Sequence, residues 1–270
     1  MKIAFIGAGN MASALIGGLI SRGIAPSDIA AIDPGAEARA KCSATFGIEA
    51  RESVDAGLPE SDVIVLAVKP QQMQATCLSI APLLHGQLVI SVAAGVRVQE
   101  LSNWLGGHAR VVRAMPNTPA LIGQGATGLF ASPEVGDGDR ENASTILGAV
   151  GVVSWLNAED DLDAVTAISG SGPAYVFYFI EAMQAAAEEF GFSSAQARTL
   201  TLATFKGAVQ LASESADSVS VLRERVTSKG GTTAAALAAF AQADVAASIK
   251  RGALAAKDRS KQLGDELASA

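Results

Sequence analysis

The feature that most limits how this chain can fold is its first twenty-odd residues, where a short apolar run passes through a glycine turn into a helical pattern. Residues 2–6 (Lys-Ile-Ala-Phe-Ile) have β character, and Gly7-Ala8-Gly9-Asn10-Met11-Ala12 follows in the form G-x-G-x-x-A. Residues 11–21 then place Met11, Leu15, Leu19 and Ile20 on one helical face before Gly23. Between a strand and a helix, this spacing reads as a dinucleotide loop. Gly7 permits the tight turn, Gly9 lets backbone approach a pyrophosphate, and Ala12 lets the helix lie close on the strand. The helix start offers unpaired N–H groups and the positive end of its dipole to phosphate. Lys2 before an apolar run also resembles the start of a secretory leader, but residues 7–10 interrupt that run too early.

Apolar runs at 29–33, 62–68, 88–92 and 111–114 alternate with helical patterns such as 35–46. Continuous apolar strands in β-α-β-α order predict a parallel sheet covered on both faces. Further strands are expected at 126–131 and 152–156, around a polar helix at 133–147. Past residue 163 strand signals stop, and 165–168, 173–190, 195–213, 219–225, 232–241 and 245–267 all read as helices. The expected architecture is α/β: an N-terminal Rossmann-type doubly wound parallel sheet over 1–162, followed by an all-helical dimerisation domain over 163–270. Small Ala-rich helices bury little area each, so the second domain is expected to need a partner subunit.

Hydrophobic residues make up 49% of the chain, yet no apolar stretch reaches the roughly eighteen residues of a membrane span. With 27 acidic against 20 basic residues the net charge is −7, which argues against a nucleic-acid partner. Cys42 and Cys77 offer neither metal-ligand spacing nor a disulfide framework, so no metal site is expected and a reducing cytoplasm fits. His85 and His108 fall in loop-like settings, which disfavours a dehydrogenase that relies on histidine as general acid–base.

Several segments carry functional groups at the ends of predicted strands, where doubly wound sheets bind ligands. Asp33 either accepts from an adenine ribose 2′-OH or initiates the turn at Pro34-Gly35. Ala67-Val68-Lys69-Pro70 places Lys69 near a cofactor phosphate or ribose, or simply in solvent. Val92, Ala93 and Ala94 leave room for a flat ring, and Asn117 has the amide to bond a carboxamide such as that of nicotinamide. The glycine-rich stretch from Val226 to Thr233 sits between two helices and presents N–H groups to an anion such as a carboxylate, with hydroxyls from Ser228, Thr232 and Thr233. A plain helix–helix loop is the other reading of that stretch.

Taken together, Gly-Ala-Gly-Asn-Met-Ala at 7–12, Ala-Val-Lys-Pro at 67–70, Met-Pro-Asn-Thr-Pro at 115–119, Ser-Gly-Ser-Gly-Pro-Ala-Tyr at 169–175 and Val-Thr-Ser-Lys-Gly-Gly-Thr-Thr at 226–233 resemble the pyrroline-5-carboxylate reductase family. The resemblance implies reduction of 1-pyrroline-5-carboxylate to L-proline by NADPH or NADH, in a homodimer or ring of dimers. It implies that Gly7, Ala8, Gly9, Asn10, Met11 and Ala12 hold the pyrophosphate. Val68, Lys69 and Pro70 then lie beside the adenosine half, and Val92 to Ala94 near the nicotinamide. Ser228, Gly230, Gly231 and Thr232 form the substrate loop, Thr233 reaches the ring nitrogen, and Glu159 lies by the substrate. Lys229 stands where many relatives carry proline, and Asp33-Pro34 replaces more neutral residues. The β-hydroxyacid dehydrogenases have a similar architecture but place a lysine where this chain has Val176.

Overall fold

The computed structural model describes residues 1–54 and 58–268, which form two compact units. The first comprises Met1–Ser171 with Ala256–Ala270, and the second Gly172–Ala255. The division thus falls at 171/172 and 255/256, whereas the change in sequence pattern falls at 162/163. The chain's last helix begins in the second unit and ends in the first.

The first unit is built on an eight-stranded sheet. Its strands are β1 (Ile3–Ile6), β2 (Ile29–Ile32), β3 (Glu49–Arg51), β4 (Val63–Leu66), β5 (Leu88–Ser91), β6 (Val111–Met115), β7 (Gly125–Ala131) and β8 (Gly151–Trp155). They lie in the order β3-β2-β1-β4-β5-β6-β7-β8. Helices α1 (Asn10–Ser21), α2 (Ala36–Phe46), α3 (Pro70–Ile80), α4 (Val98–Trp104) and α5 (Asp137–Gly148) connect them, and α6 (Asp161–Val165) follows β8. Alternation along each strand divides its side chains between two cores. Ile3 and Phe5 join α1 and α5 in one, while Ala4 and Ile6 join Met73, Cys77 and Ile80 of α3 in the other. Strands buried on both faces explain why the sequence showed runs rather than alternation.

The sheet is mostly parallel, as expected, with one reversal. β1 to β6 pair parallel, but β7 runs antiparallel to β6 and then pairs parallel with β8. The link over 116–124 is too short for a parallel crossover, which takes about a dozen residues. β3 and α4 escaped sequence reading: β3 is a three-residue edge strand with mixed exposure, and α4 is barely two turns.

The second unit contains α7 (Gly172–Glu189), α8 (Ser194–Glu214), α9 (Val219–Arg225), α10 (Thr232–Gln242) and the start of α11 (Val245–Ala268). α8 opens with a full capping box, in which Ser193 and Gln196 satisfy each other's backbone N–H groups. No residue of α7, α9 or α10 is buried. Phe177 is 64% and Phe190 79% exposed, and Tyr178, Val209, Leu211 and Phe240 are exposed with them. Covering one such side chain fully is worth about 1.5–3 kcal/mol.

Both cysteines are free thiols, one in each core of the first unit. Burial pushes the Cys77 thiol up to about 12. Burial, with the nearby Asp33 charge, also raises Cys42. Among the described residues no single helix is long and apolar enough to cross a membrane.

Candidate active site

Strand register brings the sequence-predicted cofactor positions together. Ile6 pairs with Ile32 on one side and Leu66 on the other, and Leu66 pairs with Ser91. The next residues, Gly7, Asp33, Ala67 and Val92, therefore stand side by side at the carboxyl edge. This is the point where the strand order reverses between β1 and β4, and there an open α/β sheet leaves its ligand crevice.

Gly7 turns the chain with φ +100°, a conformation L side chains rarely adopt, and a Cβ there would lie 2.7 Å from the Ala67 carbonyl oxygen. Its N–H donates to Ile32 O at 2.7 Å, and the Ala67 N–H donates to Ile6 O at 2.8 Å. Ala12 is fully buried, holding α1 against the sheet. Gly9 differs from Gly7: it is exposed, and a Cβ added to it would meet nothing within 4 Å. Gly9 is also the N-cap of α1 and supplies no side-chain acceptor, so the first-turn N–H groups, on Asn10, Met11 and Ala12, lack a side-chain cap. An open approach to bare N–H groups at a helix start fits a dinucleotide pyrophosphate.

Asp33 serves the loop itself. Its Oδ2 accepts from the Ala8 N–H and its Oδ1 from the Gly35 N–H, both at 2.8 Å. The turn reading of Asp33 thus holds, with a second bond that ties the end of β2 to the glycine loop. Arg39 donates to the carbonyls of Asp33 and Pro34 and pairs with Glu52. Lys69 is exposed and forms the N-cap of α3, with Pro70 in its first turn; Val68 is half-buried beside it. The Val92 N–H donates to Leu66 O at 3.1 Å, Ala93 is buried and Ala94 half-buried.

Two expected contacts are rearranged. The Asn117 amide is committed inside the unit at both ends: Nδ2 donates to Ser169 O at 3.0 Å, and Oδ1 accepts from the Ala126 N–H at 2.9 Å. It joins the loop after β6 to the π-helical turn Thr166–Gly170 in place of presenting a free carboxamide. Glu159 is likewise engaged: one carboxylate oxygen accepts from the Val98 N–H at 2.8 Å and from Arg113 Nη1 at 3.0 Å. That ion pair is largely buried, with the Arg113 side chain 6% exposed. Sequence reading passed over Arg113, although a charged residue in the run Val-Val-Arg-Ala-Met was a usable signal for a buried partner.

The predicted substrate loop lies in the second unit. Thr227 donates to the Arg223 carbonyl at 2.6 Å, and the Gly231 N–H donates to Ser228 O at 3.0 Å, closing a turn before α10. Gly230 is left-handed, and a Cβ on Gly231 would press on the Ser228 hydroxyl at 2.5 Å. Gly231 is the N-cap of α10 without a side-chain acceptor, so the N–H groups of Thr232, Thr233 and Ala234 are uncapped by any side chain. Thr233 is half-buried, while Ser228 and Thr232 are exposed.

A mostly parallel sheet with this switch point, an open glycine loop and a match over residues 2–95 to the family described as NADP oxidoreductase, coenzyme F420-dependent, define an NAD(P)-dependent oxidoreductase. Residues 159–263 match the family described as pyrroline-5-carboxylate reductase dimerisation. The pyrroline-5-carboxylate reductase of Pseudomonas aeruginosa is 48% identical over 267 residues, 98% of each chain. The chain belongs to the pyrroline-5-carboxylate reductase family. A solved pyrroline-5-carboxylate reductase from Coxiella burnetii has a TM-score of 0.91 at 39% identity, over 97% of this chain and 98% of that one. A Plasmodium falciparum pyrroline carboxylate reductase with NADP bound has a TM-score of 0.86 at 30% identity, over 98% of each chain.

The two loop glycines are expected to fail differently when replaced. Gly9→Val projects into open space, so the fold should hold while reduced-dinucleotide affinity collapses. Gly7→Val strains the turn and presses on β4, so thermal stability should fall as well. Thermal melts paired with cofactor titrations check this, and unchanged cofactor affinity in folded Gly9→Val removes the loop assignment.

Proposed function

We propose that this chain reduces 1-pyrroline-5-carboxylate to L-proline with NADPH or NADH, the last step of proline biosynthesis. The observation that carries this reading is full-length likeness to pyrroline-5-carboxylate reductases combined with two intact uncapped helix starts. One has an open glycine for a pyrophosphate, and the other stands beside three hydroxyls for a small carboxylate. When bound, the reduced nicotinamide supplies a hydride to the imine carbon. The chain's own residues bind and orient. The imine nitrogen takes its proton from solvent, and that charge makes the neighbouring carbon an acceptor, so no strong protein acid is required. The N–H groups of residues 232–234 hold the carboxylate, Ser228 and Thr232 add hydroxyl contacts, and Thr233 aligns the ring nitrogen. Gly7 to Ala12 and residues 67–70 hold the dinucleotide, with Val92 to Ala94 behind its reactive ring.

The working form in this reading is a homodimer or a ring of dimers, in the cytoplasm. The exposed aromatic and aliphatic faces of α7 to α10 support a second copy as their cover, and the two free thiols suit a reducing compartment. Asp33 favours NADH, because a 2′-phosphate beside its carboxylate is repelled, and both cofactors are expected to serve.

Three measurements test the reading. Thr233→Ala loses one hydrogen bond to a charged group, about 1.5–3 kcal/mol. Its kcat/KM should therefore fall by roughly one to two powers of ten, at about 1.4 kcal/mol per tenfold. Thr233→Ser should keep most activity, and both should bind cofactor like the parent. Full activity in Thr233→Ala removes this residue from the mechanism, and a parent inert towards the imine overturns the function. Asp33→Ser should move the ratio of catalytic efficiencies towards NADPH; an unmoved ratio leaves Asp33 a loop residue only. Sedimentation at micromolar concentration should show dimers or larger species, and a stable, active monomer contradicts the assembly.

A further inference from the structure

The loop after β5 is held from two directions, and one of them is the far end of the chain. Gly95 adopts φ +82°, and the space a Cβ there would need is filled by α11: Leu267 Cδ1 would lie at 3.1 Å and Gly264 N at 3.6 Å. The approach is mutual, since a Cβ on the buried Gly264 would meet Gly95 O at 3.1 Å and Arg97 Nε at 3.5 Å. Leu267 packs against the core that contains Ala93, Val96 and Leu101. Arg97 donates to Asp265 Oδ1 at 2.7 Å. One turn earlier, buried Ser260 donates to buried Asp163 at 2.7 Å and fixes the rotation of the helix. On the other side, the Arg113–Glu159 pair accepts the Val98 N–H where the loop becomes α4. Gly264, Asp265 and Leu267 lie beyond residue 263, where the match to the dimerisation family ends.

We infer that the end of α11 is a positioning element for the reaction: Gly264, Asp265 and Leu267 clamp residues 92–97 and so set the wall behind the reduced nicotinamide ring. The inference rests on the reading above that Val92 to Ala94 line that ring. It also gives Glu159 a positioning role, through Val98 and Arg113. None of these side chains is a catalytic residue. The Arg97–Asp265 pair is partly exposed, and such pairs are individually weak. The close packing of Gly264 on Gly95 is therefore the main restraint, and the ion pair selects the register of the tail.

The test uses the full chain with Gly264→Val, whose branched side chain has to displace either the tail or the loop. Hydrogen exchange on the cofactor-free protein should show faster exchange at residues 92–98 and parent-like exchange at residues 7–12. Fluorescence titration should show weaker NADPH and NADH binding. Turnover should fall mainly in kcat, by roughly one to two powers of ten, the scale of an ångström-level misplacement. Should Gly264→Val fail to fold, Asp265→Arg decides the matter: it should weaken cofactor binding and speed exchange at 92–98, and adding Arg97→Asp should restore both. Parent-like exchange at 92–98 with parent-like cofactor affinity overturns the clamp. So does equal loosening of 7–12 and 92–98, which makes the tail a general stabiliser. Exchange and titration need no imine substrate, so an error about the substrate and an error about the clamp give different results.

Discussion

The carboxyl edge of the sheet depends on one close backbone approach, Gly7 against Ala67. A left-handed residue at the end of β1 lets the chain turn within van der Waals reach of β4, and a Cβ would force those strands apart. Because β1 and β4 flank the switch point, the same contact sets the width of the crevice. The Asp33 carboxylate completes the arrangement by holding the Ala8 N–H from the β2 side. Three strand ends are thus fastened to one loop before any ligand arrives, and α1 begins from that loop with its first-turn N–H groups unoccupied by side chains.

Much of this was legible in the sequence, for identifiable reasons. Strands buried on both faces appear as apolar runs, so residues 63–66 and 88–91 stand out from composition alone. The glycine loop and the proline in the first turn of α3 are local signals. What was not legible is non-local. A short connection reverses β7, but the sequence shows no partner strand for it. The period of α11 reveals a helix, yet not that Ser260 and Gly264 return to the first unit. Asn117 reads as an amide for a nicotinamide carboxamide, and the family resemblance places Glu159 by the substrate; sequence cannot show that Ser169, Ala126, Arg113 and Val98 already bond them.

The two units solve the burial problem differently. The first encloses large side chains such as Phe5, Leu15, Ile64 and Met73 completely on both faces of its sheet. The second has almost no fully buried residue, and Phe177, Tyr178 and Phe179 of α7 are exposed. Alanine-rich helices of this kind pack closely but enclose little volume, so they bury little apolar area within the unit itself.

The two thiols lie deep in the first unit, and their burial bears on chemical durability. Burial holds the Cys77 thiol well above the usual range, so its reactive thiolate is scarce at neutral pH. Cys42 is shifted in the same direction, with the Asp33 charge adding to its burial. Peroxides and alkylating agents attack the thiolate, so neither sulfur is a target while the cores stay closed. The protein thus keeps its own sulfur out of reach of redox reagents, and modification of Cys77 would record how often the protein opens rather than how oxidising its surroundings are.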